Sequence, residues 1–421
     1  MKMSTDELPF KWRSIALPAF LPTLLFSTGE GAIIPIIPTV AHSLGATLAI
    51  AGLIASMIMV GEVFGDIPSG WLVARIGERT AMIGGAFVAV IGLAIATFAP
   101  NPLVLGVGIL LVGLATAVFA LARHAFMTSF VPQRVRARAL STLGGTFRAG
   151  YFVGPFIAAG VIALTGNTAA VFWVDIVGCL GAAVVLLIVA DPSAALGAAR
   201  DAHTAAAKLD AGRQEVADEA HGLFRTIWAN RGVLTKLGTG AGLIGALRAS
   251  RQVILPLWAV SIAVSDSNTA IIIGIAGGID FALFYTSGWI MDRWGRLASA
   301  LPSMIGLGVA HLLLAVSFGL PERFVWFVTI AMIMSLANGI GSGILMTLGS
   351  DLADKSNPAP FLGAWRFTGD VGSAAAPLLV SLLTGIATIA IASGVMGLLG
   401  LVGAGLLLRY VPRYIARPTR P

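Results

Sequence analysis

The chain has 421 residues, of which 57% are hydrophobic and 11% are charged, and it carries a formal net charge of +7. A soluble protein carries about 25% charged residues, so this composition excludes a water-soluble globular enzyme. A membrane-spanning helix needs about 20 apolar residues, so the hydrophobic fraction accommodates roughly twelve such helices and leaves little for soluble domains. The composition therefore predicts an all-α integral membrane protein.

Glycine, proline and clusters of charged residues divide the chain into long apolar runs. The runs are unbroken, whereas outer-membrane β-strands alternate in polarity over about ten residues. Each run is long enough to be a spanning helix, and we number the predicted helices 1 to 12 in chain order. They cover residues 14–39, 46–72, 81–98, 103–126, 140–165, 169–190, 233–263, 269–291, 298–319, 323–348, 360–384 and 387–409.

Basic residues are concentrated on one side of the predicted membrane. With the N-terminus inside, the loops on the outer side hold a single basic residue, Arg323. Because cytoplasmic loops are enriched in Lys and Arg, both termini are expected to be cytoplasmic, in a bacterial-type cytoplasmic (inner) membrane. The positive charge thus indicates orientation in a lipid bilayer, and it gives no reason to expect a nucleic-acid partner.

The two halves of the chain resemble each other at a fixed offset of 218 residues. The hydrophilic segment 191–232 is predicted to be a cytoplasmic linker between an N-terminal six-helix half, 1–190, and a C-terminal half, 233–421. Chance matches would scatter over many offsets, so we expect two pseudo-symmetric six-helix bundles that rock about a central site. The matched pairs include Pro38 and Pro256, Glu62 and Asp280, Trp71 and Trp289, Arg75 and Arg293, Gly77 and Gly295, Arg148 and Arg366, and Gly154 and Gly372.

The loop after predicted helix 8 carries a recognisable motif. The segment Gly288-Trp-Ile-Met-Asp292-Arg293-Trp-Gly295-Arg296 resembles the loop signature G-x-x-x-D-R-x-G-R of the major facilitator superfamily. A related segment begins at Gly70 after predicted helix 2, with Ala74 at the acidic position. The resemblance implies the major facilitator fold, with twelve transmembrane helices in two bundles.

The residues of these two loops suggest packing and gating roles. A glycine at a helix end lets neighbouring helices approach closely, and an Asp-Arg pair can clamp adjacent helix ends through charge-assisted hydrogen bonds. We predict that Asp351 is the partner of Arg293. The alternative is a loop that is basic only to fix topology. The predicted packing residues are Gly70 and Gly288, and the predicted gating residues are Arg75, Asp292, Arg293 and Asp351.

Predicted helix 5 contains a second motif. The segment Gly150-Tyr-Phe-Val-Gly154-Pro155-Phe-Ile-Ala-Ala is similar to the superfamily's antiporter signature G-x-x-x-G-P-x-x-G-G. The segment 31–38 resembles the twelve-helix drug:proton antiporters. Gly150 and Gly154 at i,i+4 predict a close-packing face, and Pro155 predicts a bend. The same packing would also serve a protein that is not an antiporter.

Several charged residues fall inside the predicted spans, where a charge costs at least ~2.5–3.5 kcal/mol and needs a partner, a wet cavity or a function. In the arrangement that the resemblance implies, helix 2 faces helix 11 and helix 5 faces helix 8. We hypothesise a gating ion pair between Glu62 and Arg366, and a second between Arg148 and Asp280. The alternative is that each arginine pairs within its own half or with backbone carbonyl groups, or that Arg366 bonds Asp370 at i,i+4.

Glu30 and Arg248 are also separated by 218 residues, and the resemblance places helices 1 and 7 around the central cavity. We predict that Glu30 alternately binds a proton and substrate, and that Arg248 and Arg251 contact an anionic substrate group. The alternative is a static Glu30–Arg248 salt bridge. Arg123 and His124 resemble the family's functional helix-4 arginine weakly, and their predicted depth is shallow for that role. The further acids predicted to couple protons are Glu62, Asp66 and Asp280.

The leading functional prediction is a secondary active transporter that exports small amphipathic molecules or drugs by proton antiport. It is expected to use the proton gradient, to need no cofactor or metal, and to function as a monomer. The first alternative is a proton symporter or facilitator that imports a small metabolite. A membrane enzyme or non-transporting receptor is disfavoured, because the sequence contains no phosphate-binding loop and no H-E-x-x-H motif. The substrate itself stays open.

Overall fold

The chain folds into long helices. The computed structural model describes residues 16–131, 133–189, 223–353 and 359–415. Within these ranges, eleven helices are long and apolar enough to cross a membrane, and a pair of helices bent by 43° makes a twelfth span. The described residues contain no β-strand, and the predicted all-α membrane fold is confirmed. The predicted linker, 191–232, lies mostly outside the described residues, which resume with a short helix at Leu223–Ala229.

The spans are labelled with the numbers of the predicted helices. Two of them consist of two segments each. The bounds are α1, Leu21–Ile33 and Ile37–Ser43; α2, Leu48–Ile76; α3, Glu78–Thr97; α4, Pro102–Phe130; α5, Gln133–Thr165; α6, Phe172–Ile188; α7, Thr239–Ser261; α8, Asp266–Trp294; α9, Arg296–Ser317; α10, Arg323–Ile340 and Ile344–Leu352; α11, Ala359–Ile386; and α12, Ile389–Tyr414.

Two spans that the sequence predicted as single runs are interrupted. In α1 the break falls at residues 34–36, where Pro35 and Pro38 remove backbone donors and disfavour a continuous helix. In α10 the break falls at residues 341–343, within a glycine-rich stretch that has low helix propensity. The break in α10 frees backbone carbonyl groups inside the bundle, and a buried arginine uses one of them, as described below.

The turns that follow α2 and α8 require glycine. Gly77 and Gly295 have φ angles of 83° and 87°, a backbone conformation that glycine adopts without a steric penalty. Each residue ends one span and caps the start of the next. The repeated glycine therefore reflects the same sharp reversal in both halves. We refer to the end of the bundle that contains these two turns as the motif end.

Helix α5 packs closely on α1 through the glycines of the antiporter-like motif. A Cβ atom on Gly150 would collide with Ser27, and one on Gly154 would collide with the backbone of Thr28 and Ala32. Pro155 lies inside α5, which runs as one helix from Gln133 to Thr165, and the predicted bend at Pro155 stays a prediction. The small residues let the two backbones approach, which brings side chains of α5 next to those of α1.

The two halves meet along α5 with α8 and along α2 with α11. At the end opposite the motif end, Ser381 Oγ donates a hydrogen bond to the Ala49 carbonyl at 2.5 Å. Ser267 Oγ donates one to the Ala159 carbonyl at 3.4 Å. These hydrogen bonds connect the two halves at this end.

The close packing of α1 on α5 predicts that Gly154→Ala destabilises the protein by about 1–3 kcal/mol, because the added methyl overpacks the interface. Gly160→Ala on the same helix is the matched control, since a Cβ atom there meets no atom within 4 Å, and the change should be neutral or stabilising. Thermal unfolding of the two purified variants in detergent checks the difference. Equal melting temperatures would contradict the packing role of Gly154.

Candidate functional site

A cavity of about 120 Å³ lies between α1, α2, α4, α5 and α11. Its wall at the motif end is accessible, since the side chain of Arg366 is 49% exposed and that of Asp370 is 36% exposed. Its inner end is formed by Glu30, which is 0% exposed. The charged residues that line the cavity are Glu30, Glu62, Asp66, Arg123, Arg366 and Asp370.

Glu30 at the inner end of the cavity is surrounded by groups from three other side chains. Thr116 Oγ1 on α4 donates a hydrogen bond to Oε1 of Glu30 at 3.4 Å. The Tyr151 hydroxyl and the Arg123 guanidinium lie close enough to interact with the same carboxyl group. The second oxygen, Oε2, has no hydrogen-bond partner among the described residues. The glycine packing of α5 on α1 explains the position of Tyr151, which follows Gly150 directly.

Arg123 belongs to this site, and the prediction that it lies too shallow is wrong. The apolar run was taken to end at residue 126, whereas α4 continues to Phe130. The guanidinium group lies 4.7 Å from the ring centroid of Phe147 and lines the same cavity as Glu30. The signal that could have found it is the resemblance to the family's helix-4 arginine.

The alternative of a static Glu30–Arg248 salt bridge does not match the structure. Arg248 donates instead to the Gly341 carbonyl at 2.5 Å, in the break of α10. Its Nε atom is buried without a partner among the residues that the structure describes. Arg248 is therefore held by α10, and its predicted contact with substrate stays a prediction.

The two hypothesised ion pairs between the halves are not the pairs that this structure contains. Asp280 pairs with Arg251 of the same half at 2.5 Å, and Arg148 lies with its guanidinium 4.5 Å from the ring centroid of Phe284. Arg366 pairs with Asp370 at 3.5 Å across one turn of α11. Asp280 and Arg366 thus pair within their own half, as in the alternative, whereas Arg148 contacts an aromatic ring of the other half.

Glu62 and Asp66 lie on one face of α2 and are half-buried in the cavity wall, opposite Arg366. In the described part of the chain neither carboxylate makes an ion pair within 4.0 Å. The structure thus brings Glu30, Glu62 and Asp66 into one cavity. Asp280, the fourth acid predicted to couple protons, lies outside it in the pair with Arg251.

At the motif end Asp351 does not pair with Arg293, as predicted, but with Arg296. Arg296 binds Asp351 through both Nε, at 2.7 Å, and a terminal nitrogen, at 3.2 Å. Its other terminal nitrogen lies 3.6 Å from Asp292. Because Arg296 is the first residue of α9, its side chain reaches the second segment of α10. Arg293 instead lies over the rings of Trp289 and Trp294.

Gating by Arg75 in the loop after α2, and close packing by Gly70 and Gly288 at the helix ends, were also predicted. Arg75 lies over the ring of Trp71, with 5.2 Å between the guanidinium carbon and the ring centroid. Gly70 is buried. A Cβ atom on Gly288 would meet no described atom within 4 Å, so the predicted close packing there is wrong. The neighbouring Ser287 fills the interface instead and lies 3.4 Å from Ser299 on α9.

A bundle of apolar spans around a charged cavity that is closed at one end defines a multi-pass membrane transport protein. The sequence profile of the Major Facilitator Superfamily matches residues 19–377. The chain therefore belongs to the Major Facilitator Superfamily.

Curated relatives match over part of the chain. The galactose-proton symporter of Escherichia coli is 29% identical over 123 residues, 29% of this chain and 26% of its own length. The arabinose-proton symporter of the same species is 23% identical over 175 residues, 42% of this chain and 36% of its own length. The chain thus spans about a third or less of the relatives it matches. They do not support the narrower drug:proton antiporter family that the helix 5 motif resembles.

Solved structures show the same fold over nearly the whole chain. The partially occluded, inward-open xylose transporter XylE from E. coli has a TM-score of 0.70 at 15% identity and covers 95% of this chain and 99% of its own. A peptide transporter POT has a TM-score of 0.74 at 16% identity and covers 98% of this chain and 96% of its own. At this identity the similarity shows the fold.

Mutation can test whether Arg251 is the principal partner of Asp280. Arg251→Ala leaves a carboxylate unpaired inside the membrane and is expected to destabilise the protein by about 3–5 kcal/mol. Arg148→Ala removes a cation–π contact and is expected to cost about 0.5–2 kcal/mol. Unfolding of both variants in detergent measures the difference. A larger loss in Arg148→Ala would mean that Arg148 is the principal partner of Asp280.

Proposed function

We propose that this protein is a secondary transporter that couples the uptake of a small polar metabolite to protons, as a symporter that works by alternating access. The observation that carries the proposal is the cavity that ends at the buried Glu30 beside Arg123 and Tyr151. The galactose-proton and arabinose-proton symporters among the relatives support symport. The energy source is the proton gradient, and no cofactor takes part.

Glu30 is the proton-binding residue in this proposal. A carboxylate without water is expensive to keep ionised unless a cation or hydrogen-bond donors stabilise it. Arg123, Thr116 and Tyr151 supply that stabilisation when Glu30 is ionised. Binding of a proton removes the attraction between Glu30 and Arg123, so that α1 and α4 are no longer held together by charge. This change in attraction couples protonation to movement of the helices.

We also propose roles for the charged residues outside the cavity. Asp280, Arg251, Arg148 and Arg248 belong to a second polar cluster that gates or positions substrate. The clamp of Arg296 with Asp351 holds α9 and α10 together while the halves rock. The motif end and both chain termini face the cytoplasm of a bacterial-type cell, by the distribution of basic residues. One chain suffices for this mechanism.

Proton antiport of an amphipathic molecule is the second candidate. Gly150 and Gly154 pack as an antiporter-like motif would, and Phe26, Phe119 and Phe147 give the cavity an aromatic wall. The relatives favour symport, and we therefore rank antiport second.

The direction of proton movement distinguishes the two candidates. Proteoliposomes that contain a pH-sensitive dye are given galactose, arabinose, xylose or pooled polar metabolites from outside, without an imposed pH gradient. Symport carries protons in with the substrate and acidifies the lumen, whereas antiport exports protons and makes the lumen alkaline. Acidification by at least one substrate pool is the expected result, and a lumen that becomes alkaline would overturn symport.

Glu30→Gln tests the proton site in the same vesicles. The neutral amide cannot release a proton, so substrate exchange at equal concentrations should continue while the change in lumen pH is abolished. Glu322→Gln, an exposed acid at the end opposite the motif end, is the control and should behave as the wild type. Proton uptake that persists in Glu30→Gln would remove Glu30 from the coupling mechanism.

A further inference from the structure

We infer that Glu62 and Asp66 bind the positively charged group of the transported molecule, which is therefore a small organic cation with an amine or guanidinium group. The inference rests on the proposed transport function and names its substrate class. It starts from two acidic side chains that make no ion pair within 4.0 Å with any described residue.

The two carboxylates are placed as a pair. They are four residues apart on α2, so they lie on one face of the helix with Cβ atoms about 5–6 Å apart, a spacing at which like charges repel. Both line the cavity and both are half-buried. Neither one makes an ion pair within 4.0 Å with any residue in the described ranges.

The other charges of the cavity are already engaged. Arg123 lies beside Glu30, and Arg366 pairs with Asp370 at 3.5 Å. Four carboxylates and two guanidinium groups line the cavity, so its formal charge is −2 when all are ionised. Partly buried carboxylates without a counter-charge are unfavourable, so a cation from outside the chain stabilises this cavity.

A second observation at the inner end of the cavity also indicates a bound group. Glu30 is 0% exposed, lines the same cavity and has one oxygen, Oε2, without a hydrogen-bond donor among the described residues. The cavity thus offers acceptors at both of its ends. An amine or guanidinium donates several hydrogen bonds and carries the charge that these acceptors require.

The cavity wall favours an organic cation. Phe26 and Phe119 stack with ring centroids 4.3 Å apart and line the cavity together with Phe147, and aromatic ring faces attract cations. The described part of the chain holds no group of three His, Cys, Asp or Glu side chains placed as metal ligands. A neutral sugar would leave the formal charge of the cavity at −2 when all of its groups are ionised.

Matched pairs of probes test the substrate class on the full-length protein in detergent. Benzylamine and phenylguanidine are cations, and benzyl alcohol and phenylurea are their neutral counterparts of similar shape. We expect the two cations to raise the unfolding temperature of the wild type more than the neutral compounds do. If neither cation stabilises the protein more than its neutral counterpart, the inference is wrong.

Variants locate the site of the cation. Glu62→Gln and Asp66→Asn, alone and combined, should weaken the apparent affinity for benzylamine at least about tenfold, or ~1.4 kcal/mol, while Glu322→Gln keeps it. Retention of wild-type affinity in the combined variant would overturn the assignment to these residues. The wild-type comparison of cation with neutral compound decides the substrate class even if a variant does not fold.

The outcome is separable from that of the proposed function. Lumen acidification driven by a neutral sugar, with no effect of the cations on stability, would leave proton symport standing and overturn the cationic substrate. Stabilisation by the cations with no proton movement for any substrate pool would support the cationic substrate and overturn proton symport.

Discussion

The arrangement of this molecule depends on the accommodation of one fully buried carboxyl group, that of Glu30. A charge at this depth is tolerated only with partners, and the partners come from different helices. Thr116 and Arg123 are supplied by α4, and Tyr151 by α5. Because α5 approaches α1 only where glycine removes the side chain, the packing motif and the charged site are one feature of the structure.

The two halves share backbone features at related positions but differ in their charged side chains. Gly77 and Gly295 make the same left-handed turn, and Gly372 approaches α7 as closely as Gly154 approaches α1. The electrostatics diverge at the related positions Glu30 and Arg248. Glu30 lines the cavity, whereas Arg248 donates a hydrogen bond to the Gly341 carbonyl in the break of α10. The N-terminal half therefore contributes most of the cavity acids, and the C-terminal half holds a buried cluster of its own.

Helix number and the repeat were predictable because each depends on local composition or on spacing along the chain. The ion pairs were not predictable from the sequence, because several oppositely charged groups lie within reach of each long side chain. Asp280 had Arg148 and Arg251 available, and only the packing of α7 on α8 determines that Arg251 is the partner. Arg123 was missed for a different reason. An apolar run underestimates helix length, and four additional residues, about 6 Å, change the depth of a side chain from the surface to the site.

The net charge of the cavity affects whether a proton and a substrate can be transported in the same step. With all groups ionised the cavity carries a formal charge of −2. One proton on Glu30 and one monovalent cation at Glu62 and Asp66 together bring this charge to zero. Closing a neutral cavity inside the membrane avoids the penalty of burying net charge, whereas a proton with a neutral sugar leaves one negative charge. In the proposed mechanism the fully loaded carrier is therefore the form best able to close, and this condition would make the symporter carry both the proton and the cation or neither.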